Sequence, residues 1–409
     1  MSAAAPSEGG PSQTAPSPPP QTASASASAS AEPPTSTTST TTAPEAAPAP
    51  APAPAPATES SPQATETPPQ PQTDTQADHN DSVLNLEADT AEATDDDNDS
   101  AFEGHSTAST SLASSVMHYE YSNGRRYHGY RSGTYLLPND DEEQDRLDFV
   151  HHIFLLMLDG KLYNAPLQNP RRVLDIGTGT GIWAIDFGDA HPGAEVFGTD
   201  LSPIQPSWVP PNVKFYIDDL ESDWVYAPEE HFDYIHVREM VGAVADWDRL
   251  CAQSYANLNP GGYLELQEPI ARFECDDGSL TQDTDLYQWQ ELCNEASKKF
   301  GKEVQTAGLL KSQVLNAGFV DVHEKIVKVP IGPWPKDPKM KELGRYHREQ
   351  LSQGIGPYTL GFLGKVQGWS EAECKIITAK VQTQMRNPKI HTYIKYFFVH
   401  GRKPDNAVH

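Results

Sequence analysis

The sequence predicts an α/β protein: a seven-stranded, parallel, doubly wound Rossmann-like sheet with helical insertions, preceded by a long disordered tail. Three observations carry this expectation. From residue 173 onward, short apolar runs alternate with helical periodicity, the rhythm of a parallel sheet covered by helices on both faces. The first of these runs, Val173 to Ile176, opens into a turn with glycine at 177, 179 and 181. Residues 1–118 also differ sharply in composition from residues 119–404, which read as one folded domain.

The chain has 409 residues, 36 prolines and a formal net charge of -27. No Lys or Arg precedes Arg125, and the first part consists of Ala, Pro, Ser and Thr, with an Ala-Ser repeat near Ser24 and an Ala-Pro repeat near Ala51. Such a composition cannot bury enough apolar surface to offset its chain entropy. Its distal part is acidic at Asp95, Asp96, Asp97 and Asp99, which reads first as solvation. The acidic excess persists beyond Arg125, so the basic footprint of a nucleic-acid binder is missing and no direct nucleic-acid contact is expected. No apolar run reaches the length of a membrane span, and the N-terminus lacks a secretory signal, so the expectation is a soluble, intracellular protein without membrane association. Cys251, Cys275, Cys293 and Cys374 are too far apart for C-x-x-C metal spacing and too few for a disulfide scaffold, so no metal is expected.

Taken in order, the folded part begins with a helix after residue 138. Asn139 or Asp140 caps it, acids fill its first turn, and Leu147, Val150, Phe154 and Met157 recur on one face up to Gly160. The strand Val173 to Ile176 and a helix through Ala184 to Ala190 follow, then a turn at Pro192 and Gly193 and the strand Glu195 to Gly198. Later strands are expected at 213–217, 234–237, 263–266, 320–329 and 392–399. Two insertions, about 271–302 and 332–387, read as helical, and their Tyr287, Trp289, Trp334 and Tyr346 either wall an acceptor pocket or fill the core.

The glycine turn carries the sharpest chemical signal. Only glycine lets backbone approach a ligand closely while turning from strand to helix, and the helix from Ile182 offers unpaired N–H groups there. A dinucleotide fingerprint needs G-x-G-x-x-G, whereas here the position after Gly177 and Gly179 that should be glycine is Ile182, and Gly181 falls one residue early. Asp175, two residues before the first glycine, can meet a cationic ammonium but would repel a pyrophosphate. Spacing and charge point to S-adenosylmethionine rather than a nicotinamide cofactor.

Ligands of open parallel sheets bind beyond the C-terminal strand ends. Asp200 ends the second strand in Gly-Thr-Asp-Leu-Ser, nineteen residues after Gly181, where a carboxylate can accept both ribose hydroxyls. Asp218 and Asp219, before Leu220, end the third, and Asp219 is the choice for the adenine amino group, with either acid able to cap a turn instead. His236, Arg238 and Glu239 stand at or beyond the rim of the fourth, where a methyl acceptor must approach. His236 is the natural base candidate, with a structural histidine as the alternative. Glu268 ends the next strand and either orients the acceptor or pairs with a neighbour. A base is optional, because methyl transfer is a displacement at an already activated carbon.

With Asp175 to Gly181, Asp200, Asp219 and Leu258-Asn-Pro-Gly-Gly-Tyr-Leu-Glu-Leu-Gln-Glu268 in hand, the chain resembles a class I methyltransferase with its seven-stranded Rossmann-like sheet. Tyr135-Leu-Leu-Pro-Asn-Asp-Asp-Glu-Glu-Gln-Asp-Arg-Leu-Asp148, Asp218-Asp-Leu-Glu-Ser-Asp-Trp224, and Phe232-Asp-Tyr-Ile-His-Val-Arg238 with Asp246-Trp247 narrow the resemblance to fungal LaeA-like methyltransferases, over about residues 119–404. The resemblance implies S-adenosylmethionine binding by Asp175, Gly177, Thr178, Gly179, Gly181, Asp200, Leu201, Asp218, Asp219, Leu220 and Arg238, under a lid helix carrying Tyr135 and Arg146. It further implies regulation of secondary metabolism and development beside velvet-type partners, or methylation of a small metabolite. The Arg125-Arg126 pair is too short a basic run for nuclear import. The expectation is therefore a protein of nucleus and cytoplasm that enters the nucleus with a partner docked on the 332–387 insertion.

Overall fold

The computed structural model describes residues 119–406, so the segment expected to be a tail lies outside the described residues. A short hairpin comes first, β1 (Glu120–Ser122) and β2 (Arg125–Tyr127), turning through Asn123 and Gly124 at positive φ. Sequence reading missed it, although Asn-Gly is the standard two-residue hairpin signal. Helix α1 (Asp141–Met157) is capped by Asp140, which accepts from Glu143 N, and Asp140 also pairs with Arg125 at 2.6 Å. Arg125 is thereby committed to anchoring the hairpin on the helix.

The main sheet comprises β3 (Arg172–Ile176), β4 (Glu195–Asp200), β5 (Val213–Ile217), β6 (Phe232–Arg238), β7 (Leu258–Pro269), β8 (Val320–Pro330) and β9 (Tyr393–Arg402), in the order β5-β4-β3-β6-β7-β9-β8. The first five run parallel, whereas β9 is antiparallel to both β7 and β8. All seven expected strands are present. β7 is longer than expected because Leu258 pairs with Phe232 before a register shift lets the Pro-Gly-Gly stretch through.

Both faces of the parallel strands are covered. Val173 and Tyr234 pack with Trp183 and Phe187 of α2 (Ile182–Ala190) on one side. Leu174, Ile176, Ile235 and Val237 pack on the other with Leu250 of α3 (Trp247–Asn257) and Val314 of α5 (Leu310–Asn316). This two-sided burial explains why these strands read as continuous apolar runs rather than alternating ones.

The insertion segments supply α4 (Asp285–Phe300), α6 (Pro338–Thr359), a wider π-type turn at Leu360–Val366, and α7 (Glu371–Met385). With α1 they enclose a separate core around Phe154, Trp289, Leu343, Phe362 and Val381. Strand order reverses between β3 and β6, since the chain moves outward through β4 and β5 and then returns across β3. Ligands of open α/β sheets bind at such a switch point. No helix among the described residues is long and apolar enough to cross a membrane.

Candidate active site

A cleft with about 870 Å³ of free space, part of it open to solvent, lies at this switch point. Its floor is the glycine turn, with φ of 67°, 57° and 82° at Gly177, Gly179 and Gly181. L side chains rarely adopt such values. A Cβ on Gly177 would collide with Met240 Sδ, and one on Gly181 with the Phe215 ring. Gly179 differs, because its nearest neighbour would be Leu147 Cδ1 at 3.5 Å, so its bare face belongs to the cleft.

Asp200 is pinned beside this floor. Its Oδ2 accepts from Gly179 N at 2.9 Å and its Oδ1 from Ser202 N at 2.8 Å. A carboxylate has about four acceptor sites, so roughly two remain for a ligand. Desolvation pushes its carboxyl up to about 6, against the pull of those two N–H groups. Asp218 and Asp219 line the same wall beyond Asp200, with Leu201 and Leu220. Asp219 forms an ion pair with Arg131 at 3.5 Å, while Asp218 Oδ1 accepts from Asp219 N.

The opposite wall comes from α1 and its approach, with Tyr135, Asn139, Glu143 and Leu147, and from Arg238, Glu239, Met240 and Lys302. Arg146 binds Glu143 through two bonds of 3.0 and 2.6 Å, and both residues are buried. Glu239 is a non-glycine residue at φ 59°, and desolvation pushes its carboxyl up to about 7.

Residues 149–324 match the family described as "Methyltransferase domain". Methyltransferase pytC of Aspergillus terreus is 43% identical over 298 residues, which span 72% of this chain and 91% of that protein. The secondary metabolism regulator LAE1 of Cochliobolus heterostrophus is 36% identical over 289 residues, 69% of this chain and 94% of that protein. The chain belongs to the LaeA-like methyltransferase family. It is thereby a class I methyltransferase, a class whose usual cofactor is S-adenosylmethionine. The protein-methionine methyltransferase laeA of Emericella nidulans is a further relative, 35% identical over 285 residues, 69% of this chain and 76% of that protein.

Of the residues singled out from the LaeA-like sequence, Tyr135, Gly177, Gly179, Asp200, Leu201, Asp218, Asp219, Leu220 and Arg238 stand on the cleft wall. Asp175, Thr178, Gly181, Arg146, His236 and Glu268 stand behind it. Asp175, expected to face an ammonium, is 3% exposed and spends one oxygen on Thr178 Oγ1 at 2.6 Å and the other on His236 Nδ1 at 2.7 Å. It braces the turn from below.

His236 does not reach the rim. It lies inside β6, fully buried, with its ring stacked on Trp183 at 3.7 Å between centroids. Side chains alternate along a strand, so residue 236 enters the layer beneath α2, while the cleft takes the residues at the strand end. Glu268 is likewise fully buried, where it accepts from Met240 N at 2.8 Å and Val241 N at 3.0 Å. Burial, and then the charge of Glu239, push its carboxyl well above the usual carboxylate range. Arg146, on α1, is not on the cleft wall; its guanidinium is paired with Glu143.

Trp289 and Tyr346 belong to packing, whereas Trp334 is 37% exposed. Trp289 donates its Nε1 to Thr359 Oγ1 at 2.8 Å, Trp334 donates to Thr392 O, and Tyr346 meets Phe149 edge-on. Neither they nor Tyr287 line the cleft. Sequence reading missed Asn139, Glu143, Met240 and Lys302. Met240 follows a strand end and was open to the same rule that found Asp200. Lys302 carries no local signal, since only tertiary packing brings the stretch after α4 to the segments following β5 and β6, where Lys302 Nζ binds Glu221 at 2.8 Å and donates to Ala243 O at 2.7 Å.

Proposed function

We propose that this cleft binds S-adenosylmethionine and that the chain transfers its methyl group to an acceptor entering beside the ends of β6 and β7. The observation that carries this reading is the bare, left-handed glycine floor with the Asp200 carboxylate locked onto Gly179 N. The residues present fit the cofactor. Asp200 would take the ribose hydroxyls on its remaining acceptor sites, with Leu201 beside it. Asp218 or Asp219 would accept the adenine amino group, and Leu220 would cover the ring. Gly177 and Gly179 would let backbone approach the sulfur end, and Arg238 would meet the methionyl part. When bound, the cofactor supplies a methyl group already activated by its sulfonium.

The protein's own contribution is alignment and exclusion of water. Tyr135 and Leu147 close the cleft from the α1 side, while Asp175, Thr178 and His236 hold the floor in shape from behind. On this reading His236 and Glu268 support the site rather than act on the acceptor. The runner-up, a regulatory binding module with a structural cofactor, makes the opposite prediction for turnover. Conversion of labelled S-adenosylmethionine in a fungal extract, comparing the full chain with Gly179→Asp, separates them. Turnover lost in the variant supports an enzyme, whereas binding without turnover in the wild type supports the module.

We take the biological role to be regulation of secondary metabolism and development with velvet-type partners, or methylation of a small metabolite. The relatives named a regulator, a methyltransferase and a protein-methionine methyltransferase motivate both. Entry into the nucleus would depend on a partner docked on residues 332–387, with the protein divided between nucleus and cytoplasm. A fluorescent fusion wholly nuclear in cells lacking every velvet-type protein refutes that placement.

A further inference from the structure

The cleft presents one basic and one acidic side chain, Arg238 and Glu239, and neither makes an ion pair within 4 Å among the described residues. Arg238 closes β6 and Glu239 follows it. Successive side chains of an extended strand point to opposite faces, so these neighbours would ordinarily be parted. Glu239 instead adopts φ 59°, and both side chains line the same cleft. Left-handed backbone at a residue other than glycine is disfavoured and persists where its surroundings hold it, often at ligand sites.

The Arg238 guanidinium is aimed without being neutralised. Its two terminal nitrogens donate to His151 Nδ1 at 3.1 and 3.2 Å, and its face lies over the Phe154 ring at 4.9 Å. Among the described residues no carboxylate stands within ion-pair distance of it. His151 Nε2 meets Asp186 at 2.9 Å, and burial, together with Arg238, pushes the imidazole down to about 4. The ring is therefore neutral, with its proton on Nε2 toward Asp186 and its lone pair on Nδ1 toward Arg238. Of five guanidinium N–H donors, about three remain free.

The Glu239 carboxylate makes no hydrogen bond or ion pair among the described residues, whereas the other acids near the glycine floor are committed. Glu143 is held by Arg146, Asp200 by two N–H groups, and Asp175 by Thr178 and His236. Asp200 ends β4 on one side of β3, and Arg238 ends β6 on the other. A ligand whose ribose lies on Asp200 and whose chain crosses the glycine floor brings its far end to residues 238 and 239.

We propose that Arg238 and Glu239 form a clamp for the α-carboxylate and α-ammonium of the cofactor's methionyl end, with His151 and Asp186 as positioning residues for Arg238. The proposal rests on the reading of this cleft as the cofactor site.

The test is calorimetry of the full chain with two ligands, S-adenosylhomocysteine and 5′-methylthioadenosine. They share nucleoside and thioether, and only the first carries the amino-acid end. Wild type is expected to bind the first far more tightly. Arg238→Met and Glu239→Gln should each weaken S-adenosylhomocysteine by roughly tenfold or more, the loss of a charged hydrogen bond, and leave 5′-methylthioadenosine within about twofold. The second ligand thus reports that the site is still folded. His151→Leu should lower the ratio of the two affinities, and His151→Gln, which keeps an acceptor, should retain more of it. If Arg238→Met does not fold, Arg238→Lys is read in the same way for loss of the paired donors. An unchanged ratio in the Arg238 and Glu239 variants, with S-adenosylhomocysteine bound normally, overturns the clamp alone. Failure of wild type to bind either ligand overturns the cofactor reading and the clamp with it.

Discussion

His236 Nδ1 stands 2.7 Å from Asp175 Oδ1, joining β6 to the acid that opens the glycine turn. The other oxygen of Asp175 holds Thr178, the residue between the first two glycines. One histidine thereby bears on the shape of the cofactor floor without touching the cleft.

His236→Leu leaves Asp175 Oδ1 buried without a donor and should cost about 1–3 kcal/mol of stability. Urea denaturation measures this, and affinity for S-adenosylhomocysteine should fall with it. A base acting on the acceptor would behave differently, with transfer reduced by roughly 10²–10⁴ at unchanged stability. That second pattern would refute the supporting role.

Asp200 predicts a pH dependence of binding. Its carboxyl titrates at about 6 in the free protein, and ribose hydroxyls need its charged, accepting form. Above pH 6 that form prevails. As pH falls through 6 the group takes up a proton, so affinity should drop by up to about tenfold per pH unit. Asp200→Asn should flatten this limb and weaken binding by about 1–3 kcal/mol at pH 8. Calorimetry between pH 5 and 8 decides, and an identical slope in the variant rules Asp200 out.

Gly179 has space for a methyl group but not the backbone for one. Gly179→Ala should cost about 1–2 kcal/mol through its left-handed φ and little through contact. Asp tolerates that conformation better, so Gly179→Asp should be no less stable than the alanine variant. Its side chain points into the cleft, and binding of S-adenosylhomocysteine should be lost. Normal binding by a folded Gly179→Asp protein contradicts the floor assignment.

Glu143 and Arg146 are a buried pair within the first two turns of α1. Arg146→Met strands a buried carboxylate and should destabilise the protein by about 3–5 kcal/mol. Glu143→Leu combined with Arg146→Met should recover most of that loss, because two apolar side chains replace two compensated charges. A double variant as unstable as the single one would show that the pair contributes something other than mutual compensation.

Much of this protein is legible in its sequence because the relevant information is local. Seven strands follow from contiguous apolar runs and the breaks between them. The glycine turn follows from three positions where any side chain would meet Met240, Phe215 or the ligand space. Asp200 and the Asp218-Asp219 pair, of which Asp219 is the choice, follow from the rule that ligands bind beyond strand ends, which a sequence with its strands located can apply directly.

What only the tertiary structure decided is which way each side chain faces and what meets it. His236 and Asp175 sit on strands covered on both sides, so apolar patterning does not tell one face from the other, and their mutual bond turns both away from the cleft. Glu239 breaks strand alternation through one left-handed φ that no neighbouring residue announces. Glu143, His151 and Lys302 reach the site from segments outside its strands, and long-range packing has no local signature in the chain.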